Sequence, residues 1–202
     1  MPVLNIYNIH SGGLLGVWKL TENVEELLPL CKNDEKLIQD TALIHHPKKK
    51  AEFLASRLLL KKLCREIDFE YQDIEKNDRK KPYLKEYHGH ISISHTEAYC
   101  AVIIHPQLNV GIDVEKIQPK LELVKHKFLG NQELQNFTTL EMLAIAWSAK
   151  EAMYKKLDKI ALSFKNEIQL RFECDQLLAY HQKEVHQIHV IRLEEHVLSY
   201  VL

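Results

Sequence analysis

The spacing of apolar positions changes character several times along the chain, and each change marks an element. Residues 3–9 (VLNIYNI) and 14–20 read as strands, 23–31 as a helical stretch, and 49–67 as a longer helix. Pro82 sits in an extended segment, because the residue before a proline avoids the helical region. At 91–94 the sequence ISIS alternates apolar and hydroxyl side chains, the pattern of a half-buried strand. The run YCAVII (99–104), the polar HPQLN and VGIDVE (110–115) read as two strands joined by a turn. Short helices around Gly130 fill 121–139, and a strong helix covers 139–157. Three strands follow: IQLRF, IHVIRL and HVLSYVL. The pattern predicts an α+β chain in two lobes, residues 1–104 and 105–202, each with antiparallel strands and one main helix.

Composition narrows the chemistry. The chain has 202 residues, 46% of them hydrophobic, and a net charge of −1, enough apolar content for a proper core. No spacing of its six glycines fits a Gly-rich phosphate loop. A phosphorylated ligand would therefore have to be held by charged side chains and a metal. The N-terminus lacks a signal-peptide pattern, and no apolar run reaches membrane-spanning length. Four scattered cysteines form no C-x-x-C pair, and a reduced, cytoplasmic setting is expected. The histidines at 181, 186 and 189 read as solvated strand and loop residues rather than a metal site. Residues 48–85 hold twelve basic and seven acidic side chains, yet without a nucleic-acid-binding signature.

Three constellations carry chemistry. In GIDVEKI, strand alternation places Gly111, Asp113 and Glu115 on one face and Val110, Ile112 and Val114 on the other. Paired carboxylates suit Mg²⁺, which keeps waters and is completed by substrate phosphates. An edge strand with a solvated polar face has the same pattern, and spacing does not choose between them. In WSAKEAMYK, helical spacing aligns Trp147, Glu151 and Lys155. A Glu–Lys surface pair would look alike, but residues 142–149 carry no charge at all, marking a largely buried helix from whose edge Glu151 and Lys155 emerge. On the helix at 49–67, Lys50, Arg57 and Lys61 fall within about 40° of one another, hemmed by apolar neighbours. An anion site is favoured over snorkelling, with Lys80-Lys81-Pro82-Tyr83 and Ser94-His95-Thr96 as converging elements.

Together these residues resemble the 4′-phosphopantetheinyl transferase superfamily. The signature stands as Gly111, Asp113 and Glu115, then Trp147, Lys150, Glu151, Ala152 and Lys155. ISISH (91–95), KPY (81–83) and FLASRLLLK (53–61) precede it in the family's order. The length is similar to that of the two-lobed type, the kind that activates surfactin synthetase, a pseudo-dimer with its site between lobes. Lys80 stands where a Gly usually precedes the Lys-Pro pair, Thr96 where a Ser is common, and Lys48-Lys49-Lys50 where an Arg-containing pair begins the helix.

The resemblance implies an enzyme that moves phosphopantetheine from coenzyme A to a serine of an apo acyl or peptidyl carrier protein. Asp113, Glu115 and Glu151 would hold Mg²⁺. Glu151 would take the serine proton and Lys155 would balance the leaving phosphate. Lys50, Arg57, Lys81, Ser94 and His95 would bind the nucleotide phosphates. Lys150, turned away from Glu151 by its helical angle, is given no catalytic role. Lys116, Lys120, Lys125 and Lys127 would meet an acidic carrier. A monomer with no nucleic-acid or membrane partner is expected. The competing readings are another Mg²⁺-dependent phosphoester enzyme and a non-catalytic carrier-binding module.

Overall fold

The computed structural model describes residues 3–159 and 161–202. The chain opens with a hairpin of β1 (Val3–Ile9) and β2 (Gly13–Lys19), then runs through α1 (Val24–Leu27) and α2 (Glu35–Ala42) to the long α3 (Pro47–Glu66). A short hairpin follows, β3 (Ile74–Lys76) with β4 (Pro82–Leu84), then β5 (His90–His95) and β6 (Tyr99–His105). After the turn come β7 (Gly111–Lys116), α4 (Lys120–Phe128), α5 (Glu133–Asn136) and α6 (Leu140–Leu157). The last elements are α7 (Phe164–Glu167), β8 (Gln169–Glu173), β9 (Gln176–His181), β10 (Glu184–Leu193) and β11 (His196–Val201).

Two main antiparallel sheets, ordered β1-β2-β6-β5 and β7-β11-β10-β9-β8, stand beside the two-stranded β3-β4 sheet. This is the expected α+β architecture in two lobes, with α3 packed on β2 and β6 and α6 on β7 and β11. The central strands read as unbroken apolar runs because both of their faces are covered. Trp18, Val102 and Ile104 pack under α3 against Leu59 and Leu63, while Leu15, Val17, Ala101 and Ile103 face the other lobe. There they meet Ile112, Val114 and Leu198, so the seam between lobes is itself a hydrophobic core.

At that seam the edge strands β5 and β7 meet without a backbone ladder. Ser92 Oγ accepts from Ile112 N at 3.1 Å and Ser94 Oγ from Val114 N at 3.2 Å. Side-chain hydroxyls thus satisfy the donors an edge strand leaves open. Both serines are buried, so the alternation in ISIS marks two buried faces rather than one buried and one wet.

Other differences from the pattern have local causes. The stretch at 23–31 divides into α1, closed by an Asn23–Glu26 capping box, and a 3-10 turn containing Pro29. Helix α2 starts at the Asp34 cap, whose side chain accepts from Leu37 N. Strand β9 was not expected. It pairs with β10 in register and buries His181, which is 2% exposed and bonded to Lys159 Nζ and Glu167 O. His189 stacks on Tyr200. These histidines are therefore packed rather than solvated.

Candidate active site

Gly111 explains how β7 and α6 come together. A Cβ there would lie 1.8 Å from Ala152 O and 2.7 Å from Lys156 N, so only glycine admits this backbone contact. Ser148 adds a polar tie, donating from Oγ to Asp113 O at 2.9 Å and accepting from Ser199 N. With strand and helix locked, Asp113 and Glu115 on β7 come to face Glu151 and Lys155 on α6.

Asp113 is 7% exposed. Its Oδ1 accepts from Lys155 Nζ and from Ser94 Oγ, both at 2.8 Å. Lys155 Nζ also donates to Ile112 O at 2.9 Å, so the ammonium is held to one position. Glu115 Oε1 accepts from Gln118 Nε2. Burial raises the Glu115 carboxyl above its ordinary range, and the Asp113 charge adds to this. Glu151 is pushed up to about 7, first by burial, then by Asp113 and Glu115, against the opposing pull of Lys155.

The three carboxylates thus act on one another electrostatically. Among the described residues, however, no three His, Cys, Asp or Glu side chains are gathered into a group able to hold a metal ion. Lys155 and Ser94 occupy Asp113 Oδ1, and Gln118 holds Glu115. The donors themselves fit Mg²⁺: they are all oxygen and few. Asp113 Oδ2 is buried with no hydrogen-bond partner, the state of an oxygen that a cation would satisfy.

On the other side of Lys155 a cleft of about 340 Å³ opens between the lobes, lined by Arg79, Lys81, Tyr154 and Lys159 over Ile91 and Ile93. The β3–β4 hairpin closes one wall by capping α6 across the seam. Asn77 Nδ2 donates to Asp158 Oδ2 and Arg79 Nη1 to Asp158 O, each at 2.8 Å, and Lys81 Nζ to Lys156 O at 3.3 Å. Cations at a helix C-terminus are favourably placed. Burial holds Lys81 below the usual lysine range. Lys80 sits in this turn at φ +66°.

The structure therefore brings together Asp113, Glu115, Glu151, Lys155, Ser94, His95 and Lys81. Ser94, expected on a phosphate, spends its hydroxyl on Asp113. His95 faces Lys155, whose charge is among those acting on the ring, and its Nδ1 is 2.8 Å from Glu52 Oε2.

Lys50 and Arg57 are not brought to this group. At 100° per residue they lie about 140–160° around α3 from Glu52. Arg57 stacks over Phe53 and donates to Ser56 Oγ, with Tyr71 and Asp40 as its nearest charged or ionisable neighbours. Lys61 pairs with Asp34 and sits over Tyr71. The basic stripe faces α2 and its acids. Of the lysine triplet, Lys48 pairs with Glu97 and Lys49 with Glu52.

The two halves of the chain match two family models. Residues 35–105 match the 4′-phosphopantetheinyl transferase N-terminal domain. Residues 109–201 match the 4′-phosphopantetheinyl transferase superfamily. The chain belongs to this superfamily. No curated protein matches it. The superfamily accounts for a transferase of phosphopantetheinyl groups in general, with coenzyme A and carrier proteins as its substrates.

Several residues at the site escaped sequence reasoning. Glu52 was not singled out in the sequence, and Ser92 was read only as part of a half-buried strand. Lys150 is fully buried, donating to Phe128 O, Phe164 O and Ile168 O and pairing with Glu133 at 2.7 Å. Glu133 also accepts from Gly130 N and Leu170 N. The motif lysine therefore ties α4, α5 and α7 beneath the site, and no signal in the sequence pointed to Glu133.

Proposed function

We propose that this chain transfers 4′-phosphopantetheine from coenzyme A to a serine hydroxyl of an apo acyl or peptidyl carrier protein, with Mg²⁺, and releases 3′,5′-ADP. The observation that supports it most is the pairing of a fixed ammonium with a carboxyl of raised affinity for protons. Lys155 is anchored on Asp113 and Ile112 O, beside Glu151 at about 7.

In this reading the coenzyme A nucleotide lies in the cleft lined by Arg79, Lys81 and Lys159, with His95 beside it. The serine oxygen bonds to the phosphorus carrying pantetheine as the bond from that phosphorus to the adenylate oxygen breaks. Glu151 takes the serine proton, directly or through water. Lys155 balances charge gathering on the departing adenylate. Asp113, Glu115 and Glu151 would hold Mg²⁺, which when bound polarises the pyrophosphate. Phosphoryl transfer asks mostly for positioning and charge, so these few groups suffice.

One chain supplies both walls of the cleft, which supports a two-lobed monomer. The carrier would approach over α4. Lys116 pairs with Glu97 and Lys125 with Glu122, while Lys120 and Lys127 border a cavity of about 570 Å³ with Trp147 and Phe164. Reversing Lys120 and Lys127 to Glu should raise KM for the carrier severalfold and leave coenzyme A affinity unchanged. Unchanged carrier kinetics would remove that surface from the model of docking.

The decisive experiment combines the protein, Mg²⁺, coenzyme A and a panel of apo carrier proteins, read by intact mass. The expected result is a gain of one phosphopantetheine, abolished in Asp113→Ala. No gain on any carrier sinks the reading.

A further inference from the structure

Glu52 is a carboxylate buried to 2% exposure inside the first lobe, and the mechanism above makes no use of it. Its Oε2 takes hydrogen bonds from Lys49 Nζ at 2.6 Å and His95 Nδ1 at 2.8 Å. A carboxylate withdrawn from water must be repaid by good partners. An ordinary i,i+3 surface pair would leave it in solvent, and Lys49 indeed remains largely exposed. The partner that requires a buried Glu52 is His95.

His95 ends β5, opposite Cys100 of β6, whose Sγ is 3.6 Å from Glu52 O. One edge of its ring is against α3. The charged groups acting on the ring are Glu52 and Lys49 from α3 and Lys155 from α6. A carboxylate accepting from Nδ1 fixes the proton on that nitrogen, so Nε2 is the one left to meet a ligand. Such partners orient a functional imidazole much as they orient a metal-ligating one.

We propose that Glu52 is a positioning residue that holds His95 by Nδ1–H, so that Nε2 is presented to a phosphate of the coenzyme A nucleotide. The inference rests on the coenzyme A reading for its ligand but not for the state of the ring. Burial, Lys49 and Lys155 together keep the imidazole below its ordinary range despite Glu52. An arriving phosphate shifts that balance toward the charged ring, and Glu52 offsets the added positive charge, so binding takes up protons.

The ring is read first, by ¹H–¹⁵N correlation of the histidines in the full chain without ligand. The proposal expects the Nδ1–H tautomer at His95; an Nε2–H tautomer overturns it. Kinetics follow with Glu52→Ala, Glu52→Gln, His95→Ala and the double variant Glu52→Ala/His95→Ala. Glu52→Ala should raise KM for coenzyme A about tenfold with kcat within about twofold. The double variant should be no worse than His95→Ala alone. Glu52→Gln keeps an acceptor for Nδ1–H and should recover part of the loss; it also serves if Glu52→Ala fails to fold. Penalties that multiply in the double variant, or an unchanged KM in both Glu52 variants, overturn the proposal. Wild-type protein with the expected tautomer but no coenzyme A binding by calorimetry refutes the phosphate partner and the function above, while leaving the hold of Glu52 on the ring standing.

Discussion

Single residues at the seam carry opposite electrostatic duties, and Glu151 shows the balance best. Its carboxyl is raised from 4.5 to about 7 mainly by burial. Because the folded value exceeds the unfolded one, its contribution to stability is full below about pH 4.5 and is lost as pH rises through about 7. Without Mg²⁺, Glu151→Gln should therefore melt increasingly above the wild type as pH rises from 5 to 7.5, by a few degrees at the upper end. A gap between the two melting curves that stays constant with pH would contradict this. Lys155 was legible in the sequence because Glu and Lys at i, i+4 beside an uncharged helical run is an unusual combination. Glu52 was not legible, because a Lys–Glu spacing of three has the same letters whether it lies in water or under a histidine.

Elements are joined here by backbone contacts that the motif glycine and a motif lysine make possible in different ways. Gly111→Ala would drive a methyl into Ala152 O, and neither strand nor helix backbone can give way cheaply. The expected cost is at least about 1–3 kcal/mol in chemical denaturation, together with a fall in activity as α6 is displaced; a neutral substitution would show that α6 rides more loosely. Lys80 presents the reverse situation. A left-handed conformation costs an ordinary residue about 1–2 kcal/mol, and glycine gives back about half of that in chain entropy. Lys80→Gly should therefore stabilise the protein by roughly 0.5–1 kcal/mol, read from the denaturant midpoint. The family's usual glycine at this place thus has a conformational reason, and the departure noted in the sequence is a tolerated strain. Most helices and strands were readable from periodicity. Strand β9 was not: its residues alternate weakly, and pairing with β10 rather than local preference fixes it.

At the scale of the molecule, the lobes are held by a shared apolar seam and by two serines standing in for a strand. Ser92→Ala would leave Ile112 N–H buried and unpaired, costing about 1–3 kcal/mol. Ser94→Ala should cost a similar amount through Val114 N–H and, in addition, lower kcat, since Asp113 Oδ1 loses one of its two side-chain donors. Comparing denaturant midpoints with kcat for the two variants separates the roles; equal effects on kcat would remove the distinction.

The amino-acid sequence by itself determined the two-lobed α+β plan, the carboxylates on one face of β7 and the alignment of Glu151 with Lys155. These are properties of periodicity, and periodicity is local. The tertiary structure decided which face of α3 meets the end of β5. Rotation about the helix carried Arg57 toward Asp40 of α2 and Glu52 toward His95. It also decided that the motif lysine at 150 is a buried anchor and that ISIS serves as a row of acceptors for another strand. Such outcomes depend on what lies opposite each side chain, and for residues scores of positions apart that is set only when the two lobes close on each other.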